Sequence, residues 1–234
     1  MRWVIPMCVL LAALPVRAET YCFGFLNAHP ERAKIPADQA SEIQKAHLAH
    51  MEALGTQGHL LAAGPMATQG GPRGVVIYRC QSIEQAVAWT GKDPAVVHKR
   101  LAVEMHLWEA PAGLGEPLAS MIKANPAAKY TMVRLPMIVL RKSVKARAGI
   151  PAAVMKAQAV HLEMLRAKGE IRLAGPVKDS PTLAAIAVLR EMKLEEGAAL
   201  FDAAPLVAQG YAKVEPHMWF VAGEAIPAPA GRQP

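Results

Sequence analysis

Runs of alternating and clustered apolar positions divide the chain into short elements. Tyr21 to Asn27 is an aromatic and apolar run that reads as a strand, ended by the proline-containing loop His29 to Pro36. Pro36 suits the start of a helix, and apolar residues at helical spacing carry that helix from Ala37 to Leu54. His59 to Ala63 and Val75 to Cys80 read as strands separated by a loop rich in Gly and Pro. Ser82 is a candidate N-cap for a helix over Ile83 to Thr90, and Leu101 to Trp108 alternates as a last strand. The order is βαββαβ.

The same order then recurs: strand Tyr130 to Leu140, helix Ala152 to Lys168, strands Glu170 to Ala174 and Leu183 to Leu189, a helix near Glu195 to Ala203, and strand Tyr211 to Val221. Pro136 inside a strand predicts an edge or a bulge there. At a fixed offset of 111 residues His50 matches His161, and Gly58, Ala63, Gly64 and Pro65 match Gly169, Ala174, Gly175 and Pro176. The repeat divides the chain into a signal peptide (1–18), a first repeat (19–110), a linker (111–128) with a helical turn around Leu118 to Lys123, a divergent second repeat (129–223) and a disordered tail (224–234).

A βαββαβ unit is the split βαβ of the ferredoxin-like fold, with strand order 4-1-3-2 and helices on one face. The other face needs a cover, which a second copy supplies. The expectation is an α+β chain of two ferredoxin-like βαββαβ repeats facing each other as an intrachain pseudo-dimeric α/β barrel, a monomer for which a homodimer stays open. Strands 1 and 3 are neighbours in that order and run antiparallel. Cys22 therefore falls at the same end as Cys80, and the two are expected to form a disulfide.

Composition adds the compartment. Arg2, the apolar run Trp3 to Pro15, and Val16-Arg17-Ala18 have the layout of a secretory signal cleaved after Ala18, which predicts a periplasmic or secreted protein with no membrane attachment once the signal is removed. Losing Arg2 and Arg17 lowers the formal charge from +7 to +5. The other basic residues, among them Arg73, Arg79, Lys99 and Arg100, are scattered among acids and apolar residues, so no nucleic-acid surface is expected.

The run AHLAHMEALGTQGHLLAAGP, then GVVIYRCQSIEQAVAW, then Asp93-Pro94 and a strand ending in Trp108 resemble the YCII-related (YciI-like) family over Tyr21 to Glu109. HLEMLRAKGEIRLAGP, Pro205 and Trp219 look like a divergent second copy. The resemblance implies a dimeric α/β barrel and a proposed active site in which the helix histidine, here His47, pairs with the aspartate of the Asp-Pro step, here Asp93. Better-understood relatives include a dehydrochlorinase acting on chlorinated hydroxyquinols.

The residues give their own reading of His47. At about 100° per residue, Ile43, His47, Met51 and Leu54 share one face, so His47 sits mid-face on the apolar side of its helix. A buried imidazole needs a hydrogen-bond partner, and an orienting carboxylate makes it a general base; a satisfied core histidine is the other possibility. At the same offset His47 becomes Gln158 and Asp93 becomes Ala204, so one intact site per chain is expected. Glu104, His106 and Trp108 share a strand face that Glu215, His217 and Trp219 repeat. With His50 at the edge of the helix face, these are candidate substrate-binding residues if the face lines a lumen, and an inter-repeat polar interface otherwise. No HExxH or Cys/His cluster is present, so neither a metal nor a cofactor is expected. The expected partner is a small-molecule ligand. Two functions follow: an enzyme using His47 and Asp93 for proton abstraction, elimination or isomerisation on a small cyclic or phenolic substrate, or a non-catalytic ligand-binding or structural barrel.

Overall fold

The computed structural model describes residues 17–67, 70–178 and 180–229. The expected signal peptide therefore lies almost wholly outside the described residues. The elements in order are β1 (Ala18–Ala28), α1 (Ala37–Thr56), β2 (Leu60–Pro65), β3 (Gly74–Tyr78), α2 (Ile83–Thr90), α3 (Pro94–Val97), β4 (Leu101–Pro111) and α4 (Glu116–Ala124), followed by β5 (Met132–Lys142), α5 (Ala152–Ala167), β6 (Ile171–Lys178), β7 (Leu183–Leu189), α6 (Leu194–Ala199), α7 (Pro205–Ala208) and β8 (Ala212–Ala222).

The strands form an antiparallel sheet in the order β2-β3-β1-β4-β6-β7-β5-β8. Each group of four has the 4-1-3-2 order of a ferredoxin-like unit. The groups meet where Leu107 and Trp108 pair with Lys178 and Val177. They meet again at the far ends, where Met66 bridges Trp219. The two contacts are reciprocal: Trp108 Nε1 donates to Gly175 O at 3.2 Å, and Trp219 Nε1 donates to Gly64 O at 3.3 Å.

The period of two along each strand explains why so many strand residues are buried on both sides. In β1, Tyr21, Phe23 and Phe25 join Trp108, Leu135, Met137, Val139, Ile186 and Trp219 in a core shared by both halves. Cys22 and Leu26 face the other way, onto Met51 and Leu54 of α1, with Val103, Met105 and Leu107 packed alongside. A matching helix-side cluster in the second half centres on Leu162, Leu165 and Phe201. The register also sets Cys22 opposite Tyr78, two residues before Cys80, and a Cys22–Cys80 disulfide forms there with Cα atoms 6.0 Å apart.

Two expectations change, and the helical turn expected in the linker is present as a longer helix. Pro136 is in β5, an interior strand paired with both β7 and β8. Pairing with β7 begins only at Met137, so at Pro136 that flank is unpaired and a missing N–H costs no ladder bond there. The linker contains α4, with Leu114 fully buried and Leu118 packed on the shared core. The first residues of the expected tail are ordered, because the Arg172 guanidinium donates to the carbonyls of Gly223, Ile226 and Pro227 and the Ile226 side chain is buried.

Candidate active site

Asp93 is fully buried between α2 and α3. Its backbone N–H donates to Thr90 O at 3.0 Å, and its Oδ1 accepts the Ala95 N–H at 2.8 Å as the cap of α3. Pro94 fits the first helical position because it has no N–H to leave unpaired. Capping thus fixes one carboxylate oxygen and leaves the other for His47. His47 Nδ1 meets Asp93 Oδ2 at 2.6 Å.

A carboxylate only accepts, so the proton of this bond is on Nδ1 and the lone pair of the neutral ring is on Nε2. The His47 side chain is 14% exposed and lines an open cavity of about 1760 Å³ that runs along α1 and β2. Tyr78 stands behind the pair, accepting from Thr90 Oγ1 at 3.1 Å, and burial pushes its phenol up to about 12, with the Asp93 charge adding to the rise. The Tyr78 hydroxyl therefore stays protonated under ordinary conditions.

The second half closes the corresponding place. Gln158 is 3% exposed and its Oε1 accepts directly from the Leu206 N–H at 3.2 Å, the equivalent of the Ala95 N–H that Asp93 caps in the first half. One glutamine replaces both partners without their proton chemistry.

The other candidate residues are not brought to the cavity. His50 Nε2 donates to Trp89 O at 3.0 Å, tying α1 to α2, and His161 does the same to Leu200 O at 3.1 Å. His50 therefore ties two helices together and does not line this cavity. Trp108 and Trp219 are fully buried with both indole N–H groups used across the halves. His106 Nε2 donates to Glu104 Oε1 and His217 Nε2 to Glu215 Oε1, each at 3.0 Å, while Arg141 Nε donates to Glu215 Oε2 at 2.5 Å. Glu104 and His106 thus pair within one strand, Glu215 pairs with His217 and Arg141 within the other half, and none of the six strand residues lines the cavity. Their side chains are engaged in packing and hydrogen bonds, and aromatic side chains fill the space between the sheets.

Sequence reasoning missed Arg32, Arg73 and Arg100, which line the cavity together with His47. They looked scattered because they are far apart along the chain, although each flanks the end of a strand. Among the described residues no group of three or more His, Cys, Asp or Glu side chains is placed to hold a metal ion, and no helix is long and apolar enough to cross a membrane.

Residues 24–104 match the YCII-related domain. The match takes in His47 and Asp93, and the second half of the chain lies outside it. No curated protein matches the sequence. Among solved structures, two mutant forms of chlorite dismutase from Candidatus Nitrospira defluvii are similar at TM-scores of 0.52 and 0.50, with 8% and 10% identity, covering 88% of this chain and 91% and 92% of theirs. A heme-binding protein from Thermus thermophilus covers 90% of this chain and 96% of its own at 14% identity, with a TM-score of 0.45. At such identities the likeness to chlorite dismutase speaks to the fold alone.

Proposed function

We propose that the chain is an exported small-molecule enzyme of the YCII-related type, folded as an intrachain pseudo-dimeric barrel with one working site. The observation that carries the reading is the 2.6 Å contact between His47 Nδ1 and Asp93 Oδ2 at the wall of an open cavity. Nε2 takes a proton from a substrate carbon or hydroxyl, the imidazolium is stabilised by Asp93, and the proton is returned elsewhere on the substrate or a leaving group departs. The reaction class is proton abstraction, elimination or isomerisation, and the substrate a small cyclic or phenolic molecule.

Export is supported by the apolar run Trp3 to Pro15 and by the disulfide. The pseudo-dimer is supported by the reciprocal tryptophan bonds, the pattern of a two-fold interface. A non-catalytic barrel holding its ligand between the sheets would need room where Phe23, Phe25, Met137 and Trp219 now pack.

The test is turnover of a panel of chlorinated quinols and lactones by wild type, His47→Ala and Asp93→Asn. Loss of the base is expected to lower kcat by about 10²-fold or more. Asp93→Asn keeps a capping oxygen for Ala95 and is expected to lose rate while unfolding within a few degrees of wild type. Equal turnover by wild type and His47→Ala would remove His47 from the mechanism.

A further inference from the structure

The cavity along α1 and β2 has an unbalanced charge. Its charged lining residues are Arg32, Arg73, Arg100 and Lys123 against a single carboxylate, Glu52. The three arginines come from different places in the sequence: the loop after β1, the residue before β3 and the residue before β4. Antiparallel pairing brings these ends together, since Leu26 is opposite Gly74 and Ala28 opposite Leu101. Backbone bonds fix them there. Arg73 N–H donates to Leu26 O at 2.6 Å, and Arg100 O accepts from His29 N–H at 3.3 Å. Arg100 N–H donates to Ala95 O at 2.8 Å, so Arg100 hangs from the same one-turn helix that Asp93 caps.

None of the three arginines forms an ion pair among the described residues. Glu31, the acid beside Arg32 in sequence, is taken by Lys99 at 2.6 Å, and the Arg100 guanidinium reaches only a carbonyl, Ala33 O, at 2.5 Å. Burial and then the charges of Arg100 and Arg73 hold Arg32 below the ordinary arginine value, as repulsion between uncompensated cations requires. The rest of the cavity wall is mainly apolar, with Gln44, His47 and Thr56 as polar exceptions, and Leu48, Ile122, Tyr130 and Met132 remain substantially exposed on it.

We propose that this cavity binds an organic anion: a carboxylate or phosphate on an apolar or aromatic body, with Arg32, Arg73 and Arg100 holding the charge and the α1 and α4 walls holding the body. The inference rests on reading this cavity as the substrate site and names the substrate class that the site selects. Guanidinium groups suit such anions because they present several N–H donors in a fixed plane. They also bring positive charge to the cavity in which proton abstraction by His47 would generate negative charge.

Calorimetric titration of the full mature chain with 1-naphthoate, 1-naphthyl phosphate and neutral 1-naphthamide tests it. At least one anion is expected to bind ~10-fold or more tightly than the amide, the increment of one charged hydrogen bond. Arg32→Gln/Arg73→Gln, at two exposed positions without side-chain partners among the described residues, is expected to erase that preference. Lys193→Gln, an exposed cation in the other half, is expected to keep it. The two anions report whether a carboxylate or a phosphate fits better. The proposal is overturned if no probe binds at millimolar concentration, if the amide binds as well as both anions, if the arginine variant retains the preference, or if Lys193→Gln loses it equally. Turnover by His47→Ala bears on the catalytic reading alone, so the two can fail separately.

Discussion

The His217 ring is 2% exposed; Nε2 is bonded to Glu215 and Nδ1 has no partner. Burial holds its pKa below the usual histidine value and outweighs the upward pull of the Glu215 carboxylate, while Arg141 adds to the fall. In the unfolded chain the same ring takes up its proton at about pH 6.5. Between the two values the unfolded state binds more protons, so stability is complete above about pH 6.5 and falls as the pH drops below it. Glu104 and Glu215 lose their contribution lower still. The His106 hydrogen bond holds Glu104 below its ordinary value, and for Glu215 burial is outweighed by Arg141 and His217. A urea series run from about pH 7.5 to about pH 5.5 stays above the carboxylate range and reports on the histidines, among which a substitution separates His217. His217→Gln is expected to flatten the loss of stability across that window. A wild-type slope that the substitution leaves unchanged would rule out His217 as its source.

At the scale of elements, the repeated Ala-Gly-Pro is explained by the strand that crosses it. A Cβ on Gly64 would lie 1.8 Å from Phe220 O, and one on Gly175 would lie 1.8 Å from Glu109 O. Each glycine lets a strand of the other half come close enough for the Trp219 or Trp108 indole to reach its carbonyl. Gly64→Ala and Gly175→Ala are each expected to cost about 2 to 3 kcal/mol, lowering Tm by roughly 5–10 °C. Gly55→Ala, where nothing lies within 4 Å and the backbone is helical, is expected to leave Tm unchanged or raise it slightly. Alanine at Gly64 tolerated within about 1 °C would mean that β2 and β8 do not approach as described. The repeat was visible in the sequence, but not its cause, because the partner of each glycine lies in the opposite half of the chain. Elements with strong local signals were legible, such as α2 with its Ser82 cap and β7 with its unbroken apolar run. The one-turn α3 was not, although Asp93-Pro94 is a cap followed by a first-turn proline. The His47–Asp93 contact was legible through the resemblance to the YCII-related family, whereas the arginine cluster depended on strand order and was not.

For the molecule as a whole, the strand order determines which distant residues become neighbours. Antiparallel β1 and β3 bring Cys22 to Cys80 at one end of the sheet and Arg32 to Arg73 at the other. The disulfide closes a loop of 58 residues, which on the chain-entropy account stabilises by about 4 kcal/mol. For a chain of this length that corresponds to roughly 10 °C in Tm. The bond fastens the strand beneath α1 to the segment leading into α2, the helix whose end positions Asp93, so reduction is expected to loosen the His47–Asp93 geometry as well as lower Tm. Structural disulfides form and persist mainly in oxidising compartments. Export and the disulfide therefore stand or fall on one preparation: the chain recovered from the periplasm or medium is expected to begin at Glu19, to release no free thiol when denatured without reductant, and to unfold at lower temperature once reduced. Two titratable thiols in that denatured chain would exclude the bond, and an intact Met1 would exclude cleavage after Ala18.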